Sequence, residues 1–169
     1  MAIVKGSYTK QKAGAKAAVR YIAHRPGKDG AKITRTLFGN DGVMSRRQAY
    51  RMLDAAKPGT YFYRLAISPD PATEDTHKDI HLWDITDQTM THVAEQLQTD
   101  VLYVATEHND HAAHRHVHVI ALLPQRLTKH DLTVLRTTAT EAALVQRHAR
   151  DIQRAIQGRE QEEEQGWEQ

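Results

Sequence analysis

Apolar residues recur along the chain in two spacings, one typical of strands and one typical of helices. Strand-like stretches, rich in Val, Ile, Tyr and Phe, are Ala2–Tyr8, Thr60–Ser68, Val101–Glu107 and His116–Leu123. Both alternating faces of His116–Leu123 carry apolar side chains, which is typical of a central strand covered on both sides. We expect it to pair with Val101–Glu107 as an antiparallel neighbour. The stretch Lys32–Phe38 alternates more weakly and is interpreted as one further strand.

Helical spacing accounts for most of the remaining chain. The predicted helices are Ala13–Ala23, Ser45–Ala56, Asp75–Gln98 with a break near Thr86, and Thr128–Gln157. Ser45 is a suitable helix N-cap, because its hydroxyl can accept a backbone N–H of the first turn. The chain from Gly158 onward is rich in Glu and Gln and is expected to fray.

Strands that alternate with helices, mostly without short parallel crossovers, predict an α+β fold in which a central antiparallel β-sheet is flanked by α-helices. A chain of 169 residues fits one domain with its own hydrophobic core. We therefore expect one folded domain over residues 1–157, followed by an acidic, Gln- and Glu-rich flexible tail over residues 158–169.

The composition excludes several kinds of chemistry. The chain has no cysteine, which excludes disulfides and thiol catalysis and is compatible with a reducing cytoplasm. No apolar run approaches the length of a membrane span, and the N-terminus lacks the apolar core of a secretory signal. We expect a cytoplasmic protein without a membrane segment.

Positive charge is concentrated in the first third of the chain. The net charge is only +2, but residues 1–57 contain 13 Lys and Arg against 3 acidic residues, while the remainder contains 10 against 18. Such an asymmetry predicts a polyanionic partner for the basic segment, with nucleic acid the most plausible.

Five histidines lie within residues 108–118, namely His108, His111, His114, His116 and His118. Imidazole is the commonest protein ligand of divalent metals. His116 and His118 point to the same face of their strand, with backbones roughly 7 Å apart. His108 ends the preceding strand and reaches the same place if the two strands pair. His114 has the parity of His116 and is a further candidate, whereas His111 lies in the middle of the loop.

Three imidazoles at one strand end predict a metal site with positions left open for water or substrate. Asp110 or Glu107 could orient a ligand ring by accepting its second N–H. Nitrogen ligands are compatible with Mn, Ni, Co or Zn. Mg is compatible if substrate phosphate and water complete its shell.

The histidine pattern resembles the histidine motif of relaxases, the mobilisation nucleases of the HUH endonuclease superfamily. The similar residues are His108-x-Asp110 and His116-Val117-His118, in which Val117 is the bulky apolar residue between two histidines. In that family the first histidine and the final pair bind the metal. The resemblance therefore implies His108, His116 and His118 as ligands, and an antiparallel sheet with a ferredoxin-like core.

A second motif, Ala17–Gly27, is similar to the N-terminal motif of relaxases, where a helix ends in a tyrosine that precedes an apolar and then a basic residue. Relaxases place this tyrosine before the histidines, as this chain does. The resemblance implies Tyr21 as the nucleophile of DNA nicking and strand transfer, through a covalent 5′-phosphotyrosine. Tyr8 and His24 are the alternative nucleophiles.

The resemblance also implies a role and partners in mobilising a plasmid or mobile element. The partners are single-stranded DNA at a transfer origin, accessory relaxosome proteins and the ATPase that couples transfer to secretion. Basic side chains of the first third would contact the DNA backbone. The candidates are Arg20, Arg25, Lys28, Lys32, Arg35, Arg46 and Arg47.

Two other functions fit the same residues. A metal-dependent phosphoesterase would use the three histidines with an activated water and no covalent tyrosine. A DNA-binding regulator would keep the fold and the basic surface without catalysis. The order of Tyr21 and the histidines, together with the basic first third, favours strand transfer.

Overall fold

Six strands form one antiparallel sheet in the computed structural model, which describes residues 1–110 and 113–167. In the described residues the strands are β1 Ile3–Thr9, β2 Leu37–Gly39, β3 Gly42–Met44, β4 Tyr61–Ser68, β5 Leu102–His108 and β6 His116–Leu123, and the helices are α1 Lys12–His24, α2 Arg46–Asp54, α3 Leu82–Leu97 and α4 Lys129–Trp167. The strand order is β1-β4-β6-β5-β2-β3, and every pairing is antiparallel. The predicted α+β fold, a central sheet flanked by helices, is confirmed.

Helices cover both faces of the sheet. Val117, Val119 and Ala121 of β6 belong to a core with residues of α3 and α4, whereas Ile120 belongs to a second core with residues of α1 and α2. The alternation along β6 separates these two cores, because successive side chains point to opposite faces. We call the side of the sheet that faces α1 and α2 the α1 face.

The predicted strand Lys32–Phe38 is wrong over most of its length. Only its last two residues enter β2, which continues to Gly39 and pairs with β3, a strand the sequence pattern did not indicate. The preceding loop is instead held against the end of α1, where the Arg35 amide donates to the Ala23 carbonyl at 3.0 Å. This contact turns the chain away from the sheet before β2 begins.

Helix α3 begins at Leu82, seven residues later than the predicted start at Asp75, and it has no break at Thr86. The Thr86 hydroxyl is buried and donates to the Leu82 carbonyl at 2.8 Å, so the side chain is satisfied inside an unbroken helix. Threonine therefore does not interrupt this helix, although its intrinsic helix propensity is modest.

Helix α4 runs to Trp167, beyond the predicted end at Gln157. It therefore includes Gly158, where we expected fraying to begin. A single glycine costs a helix only about 1 kcal/mol relative to alanine, and the flanking Arg, Glu and Gln residues are good helix formers. The second predicted helix was more accurate. Ser45 caps α2 and forms a reciprocal capping box with Gln48.

Arg115 fixes the long connection between β4 and α3. Its guanidinium donates to both carboxylate oxygens of Asp75, at 2.9 and 2.8 Å, and to the Ile80 carbonyl at 2.8 Å. Glu107 accepts a longer contact of 3.3 Å. The Asp75 side chain is almost fully buried, so its charge depends on this partner.

Replacing Arg115 by methionine should lower the free energy of unfolding by about 3–5 kcal/mol, because Asp75 is left as a buried charge without a partner. Urea unfolding followed by circular dichroism measures the change. The control is Arg150→Met on the exposed part of α4, which should stay within about 0.5 kcal/mol of the parent. Equal stabilities of the two variants would contradict the role given to Arg115.

Candidate metal centre

Strands β5 and β6 bring three histidines together on the α1 face. His108 lies directly opposite His116 in the ladder, and His118 follows two residues later on the same face. The ring centroids of His108 and His118 are 4.6 Å apart, those of His116 and His118 are 4.9 Å apart, and those of His108 and His116 are 5.4 Å apart. One nitrogen from each ring lies within 4.8 Å of the other two. The predicted convergence is confirmed, and the group could hold a metal ion.

A backbone hydrogen bond sets the tautomer of His108. Its Nε2–H donates to the Ile22 carbonyl of α1 at 2.9 Å, because a carbonyl oxygen can only accept. The lone pair therefore resides on Nδ1. That atom is buried and has no hydrogen-bond partner within residues 1–110 and 113–167. A buried polar atom left unsatisfied is costly, and a cation would satisfy it.

A second backbone contact presents the lone pair of His116. Its Nδ1 lies 3.3 Å from the His114 carbonyl, so Nδ1 is the donor and Nε2 is left for a ligand. The His114 ring is exposed and does not join the ligand group of the described residues. His114 therefore contributes its carbonyl, and the prediction that its ring is a possible metal ligand is not supported. His111 lies outside the described residues.

Burial keeps His108 and His118 in the neutral form that binds a cation. Loss of solvation lowers the pKa of His108 to about 4 and that of His118 to about 3, from the ordinary value of 6.5. For His118, repulsion from the other two rings and then from Arg64 and Arg25 adds to the effect. A neutral imidazole offers the lone pair that a metal needs, so these two rings need not lose a proton at neutral pH.

The two carboxylates expected to orient the ligand rings have other partners. Glu107 points to the opposite face of the sheet from His108, where it contacts Arg115 at 3.3 Å. Asp110 accepts from Arg35 at 2.7 Å, and the Ile22 carbonyl occupies the second nitrogen of His108. The predicted orienting role is therefore wrong for Glu107, whereas the negative charge of Asp110 acts electrostatically on His108.

Tyr21 lies in the last turn of α1, one residue before the carbonyl that binds His108. Its side chain is 48% exposed. The guanidinium groups of Arg25 and Arg64 lie 5.8 and 5.9 Å from the centre of its ring. Both arginines also act electrostatically on His118, so the phenol and the His118 ring share the same two positive neighbours.

Arg64 was missed by sequence reasoning, because it lies on β4 and outside the basic first third. It faces Ser7 on one side and Ile120 on the other, which places its side chain on the α1 face. The alternation of β4 could have indicated this, since Arg64 is an exposed charged residue between Phe62 and Ala66 in a mostly buried strand.

The two alternative nucleophiles are not placed to act with the metal group. Tyr8 faces Tyr63, whose side chain belongs to the core on the side of α3 and α4, so Tyr8 points away from the α1 face. His24 accepts a hydrogen bond from Arg46 at 3.0 Å through Nε2, and its Nδ1 faces the Thr34 hydroxyl at 3.5 Å. Its ring nitrogens are therefore already engaged.

The predicted basic contacts divide into engaged and exposed residues. Arg35 is 7% exposed and donates to Asp110 and to the Arg25 carbonyl, so its predicted role as a DNA contact is wrong. Arg46 is engaged with His24. Of the other residues predicted to contact DNA, Arg25 is half-buried. The rest are exposed, namely Arg20, Lys28, Lys32 and Arg47.

Comparisons with protein families, curated proteins and solved structures find no match to this chain. None of the helices in the described part of the chain has an apolar segment long enough to cross a lipid bilayer.

His118→Ala should abolish stabilisation of the protein by a divalent metal, because two imidazoles hold a cation far less tightly than three. A metal at about 100 times its dissociation constant stabilises a folded protein by about 2.7 kcal/mol, which is roughly 5–10 °C in melting temperature for a domain of this size. Thermal unfolding with Mn, Ni or Zn measures the shift. His114→Ala is the matched control and should keep it; loss of the shift in this control alone would contradict the site.

The metal-free protein should lose stability as the pH falls from about 6.5 toward 4. The pKa values of His108 and His118 are lowered in the folded state. In this pH range the unfolded chain therefore binds more protons than the folded chain, and the equilibrium shifts toward unfolding. The two rings together should lower the free energy of unfolding by on the order of 2 kcal/mol at pH 5, because they repel each other's charge and are partly screened by solvent. Urea unfolding in EDTA at pH 7.5 and pH 5 measures the loss. His118→Gln should show a smaller loss than the parent, and an equal loss would contradict the account.

Proposed function

We propose that this chain is a metal-dependent DNA strand transferase, which nicks one strand at a transfer origin through a covalent 5′-phosphotyrosine on Tyr21. The observation that carries the proposal is the hydrogen bond from His108 to the Ile22 carbonyl. It joins the helix that bears the phenol to the strand that bears the ligands. A nucleophile and a metal group fixed to each other in this way suit attack on a bound phosphodiester.

The charges around the site favour an anionic substrate. Three neutral imidazoles leave the charge of a divalent ion uncompensated, and Arg25 and Arg64 lie nearby. Neither arginine has an acidic partner within 4 Å among residues 1–110 and 113–167. By contrast, Arg35, buried beneath this surface, is paired with Asp110. A phosphodiester brings the negative charge that this arrangement lacks.

The reaction is a transfer of the phosphoryl group from a DNA oxygen to the phenol oxygen. The Tyr21 oxygen attacks phosphorus in line, the bond from phosphorus to the 3′ oxygen breaks, and the proton lost by the phenol is balanced by one gained at the 3′ oxygen. A bound divalent cation would neutralise charge on the other phosphate oxygens. Arg25 and Arg64 place positive charge beside the phenol. The phosphoester energy is kept, so a 3′-hydroxyl can reverse the step and reseal the strand.

The cofactor and partners follow from this chemistry. The nitrogen ligands suit Mn, Ni or Zn, and Mg suits the site if phosphate and water complete its shell. The proposed substrate is single-stranded DNA at a transfer origin of a plasmid or mobile element in the cytoplasm. Accessory relaxosome proteins and a coupling ATPase are the further partners that such a role requires.

A metal-dependent phosphoesterase is the second candidate. The specific observation in its favour is that three protein ligands leave coordination positions open, and an activated water can occupy one of them. Such an enzyme would cleave the phosphodiester without Tyr21 and would leave no protein attached to the DNA.

Tyr21→Phe should abolish the covalent adduct and lower strand cleavage by more than about 1,000-fold, because the nucleophile is removed. The substrates are end-labelled single-stranded oligonucleotides tiled across the DNA that flanks the gene, incubated with the protein and Mn. Adducts are counted as labelled protein that survives boiling in detergent. Tyr8→Phe is the control and should form adducts at the rate of the parent.

The same assay separates the alternatives. Cleavage that persists in Tyr21→Phe and leaves no adduct would contradict strand transfer and support the phosphoesterase. Binding of the oligonucleotides by the parent protein without cleavage, with Mn, Ni, Zn or Mg, would contradict both enzymes and support a DNA-binding regulator.

A further inference from the structure

A groove on the α1 face leads from the histidines to the edge of the sheet. It has a volume of about 370 Å³ and is lined by Lys5, Gly6, Ser7, Arg64, Leu65, Ala66 and His118. β1 forms one edge of the sheet, so the groove is open on that side. We call it the edge groove. Its inner end is the metal group, through His118.

The strand register places the residues of the edge groove in two rows. Lys5 lies opposite Ala66, which lies opposite His118, and in the next row Ser7 lies opposite Arg64. Adjacent strands are about 4.8 Å apart, so the backbones of Lys5 and His118 are separated by roughly 10 Å. Ala66 and Ser7 have small side chains, so the floor of the groove is deeper between Lys5 and Arg64.

The two basic side chains of the edge groove have no ion-pair partner among residues 1–110 and 113–167. Lys5 and Arg64 are exposed, and within the described part of the chain neither has an acidic partner within 4 Å. By contrast, Arg115 and Arg147 each form ion pairs with carboxylates. Lys5 and Arg64 are therefore available to contact an anion and do not belong to the ion pairs that stabilise the fold.

The shape of the edge groove suits a single strand. The groove is about as wide as two strand spacings, and its floor is formed by the strands themselves. Ile3 lies on the same face, one row further, and is 52% exposed. It offers apolar surface to a base, and bases of a single strand are free to make such contacts.

We propose that the edge groove binds the sugar–phosphate backbone of single-stranded nucleic acid, with Lys5 and Arg64 contacting phosphates next to the one that reaches the metal group. The identity of the ligand rests on the function proposed above. Arg64 then has two neighbours, the bound strand on one side and the ring of Tyr21 on the other. Lys5 and Arg64 become DNA contacts that the basic-segment prediction did not include.

The test is binding in EDTA by Tyr21→Phe protein, where neither the metal nor the covalent step contributes. Fluorescence anisotropy with a labelled 20-nucleotide single strand of mixed sequence gives the affinity across a salt series. Arg64→Gln and Lys5→Gln should each weaken binding about fivefold and reduce the salt slope by about 0.7, which is the contribution of one phosphate contact on a single strand. Arg126→Gln is the matched control, because Arg126 stacks on Tyr8 on the opposite face, and it should bind as the parent does.

Three results would overturn the proposal. These are unchanged affinity and salt slope in Arg64→Gln and Lys5→Gln, an equal loss in Arg126→Gln, and tighter binding of a duplex than of the single strand. The Mn-dependent thermal shift of each variant shows that the fold and the metal group are intact. Loss of single-strand binding in the two edge-groove variants, together with no adduct from the parent protein that carries Tyr21, would keep this site and contradict strand transfer. Normal binding by both variants, together with adduct formation by the parent protein, would contradict the edge groove alone.

Discussion

The hydrogen bond from His108 Nε2–H to the Ile22 carbonyl is the interaction on which the candidate site depends. It joins α1 to β5 across 86 positions of sequence, fixes the tautomer of a buried ring and leaves the Nδ1 lone pair of that ring without a hydrogen-bond partner in the described residues. Because Ile22 follows Tyr21, the same bond ties the helix that carries the phenol to the strand that carries His108. Metal sites commonly orient their histidines through the second ring nitrogen, and here a main-chain carbonyl has that role.

Much of the fold and the ligand group could be predicted, because both depend on local periodicity. A strand with apolar residues on both faces has to be central, and its alternation then assigns His116 and His118 to one face. Pairing with the preceding strand brings His108 opposite His116. The nucleophile and the reaction came from the relaxase resemblance. Both stay predictions.

The features that could not be predicted depend on contacts between distant segments. The Ile22 carbonyl has no sequence signature, since every residue has one. Arg35 resembles a DNA contact in a basic segment until its buried pairing with Asp110 is seen. Arg64 was not predicted as a site residue, because its position depends on the register of β4 with β1 and β6. The register of β5 with β6 likewise places Glu107 on the opposite face of the sheet from His108. Sequence charge therefore predicts a polyanionic partner, and the fold determines which basic residues are free to contact one.

The central claim is that the tyrosine helix and the histidine strands form one site, with the ligand nitrogens chosen by backbone carbonyls. Anomalous diffraction from crystals grown with Zn tests it most directly. The account predicts one ion about 2.1 Å from Nδ1 of His108, from Nε2 of His116 and from a ring nitrogen of His118, with the Ile22 hydrogen bond kept and the Tyr21 oxygen facing an open position. An ion bound through Nε2 of His108, or bound away from these three rings, would contradict it.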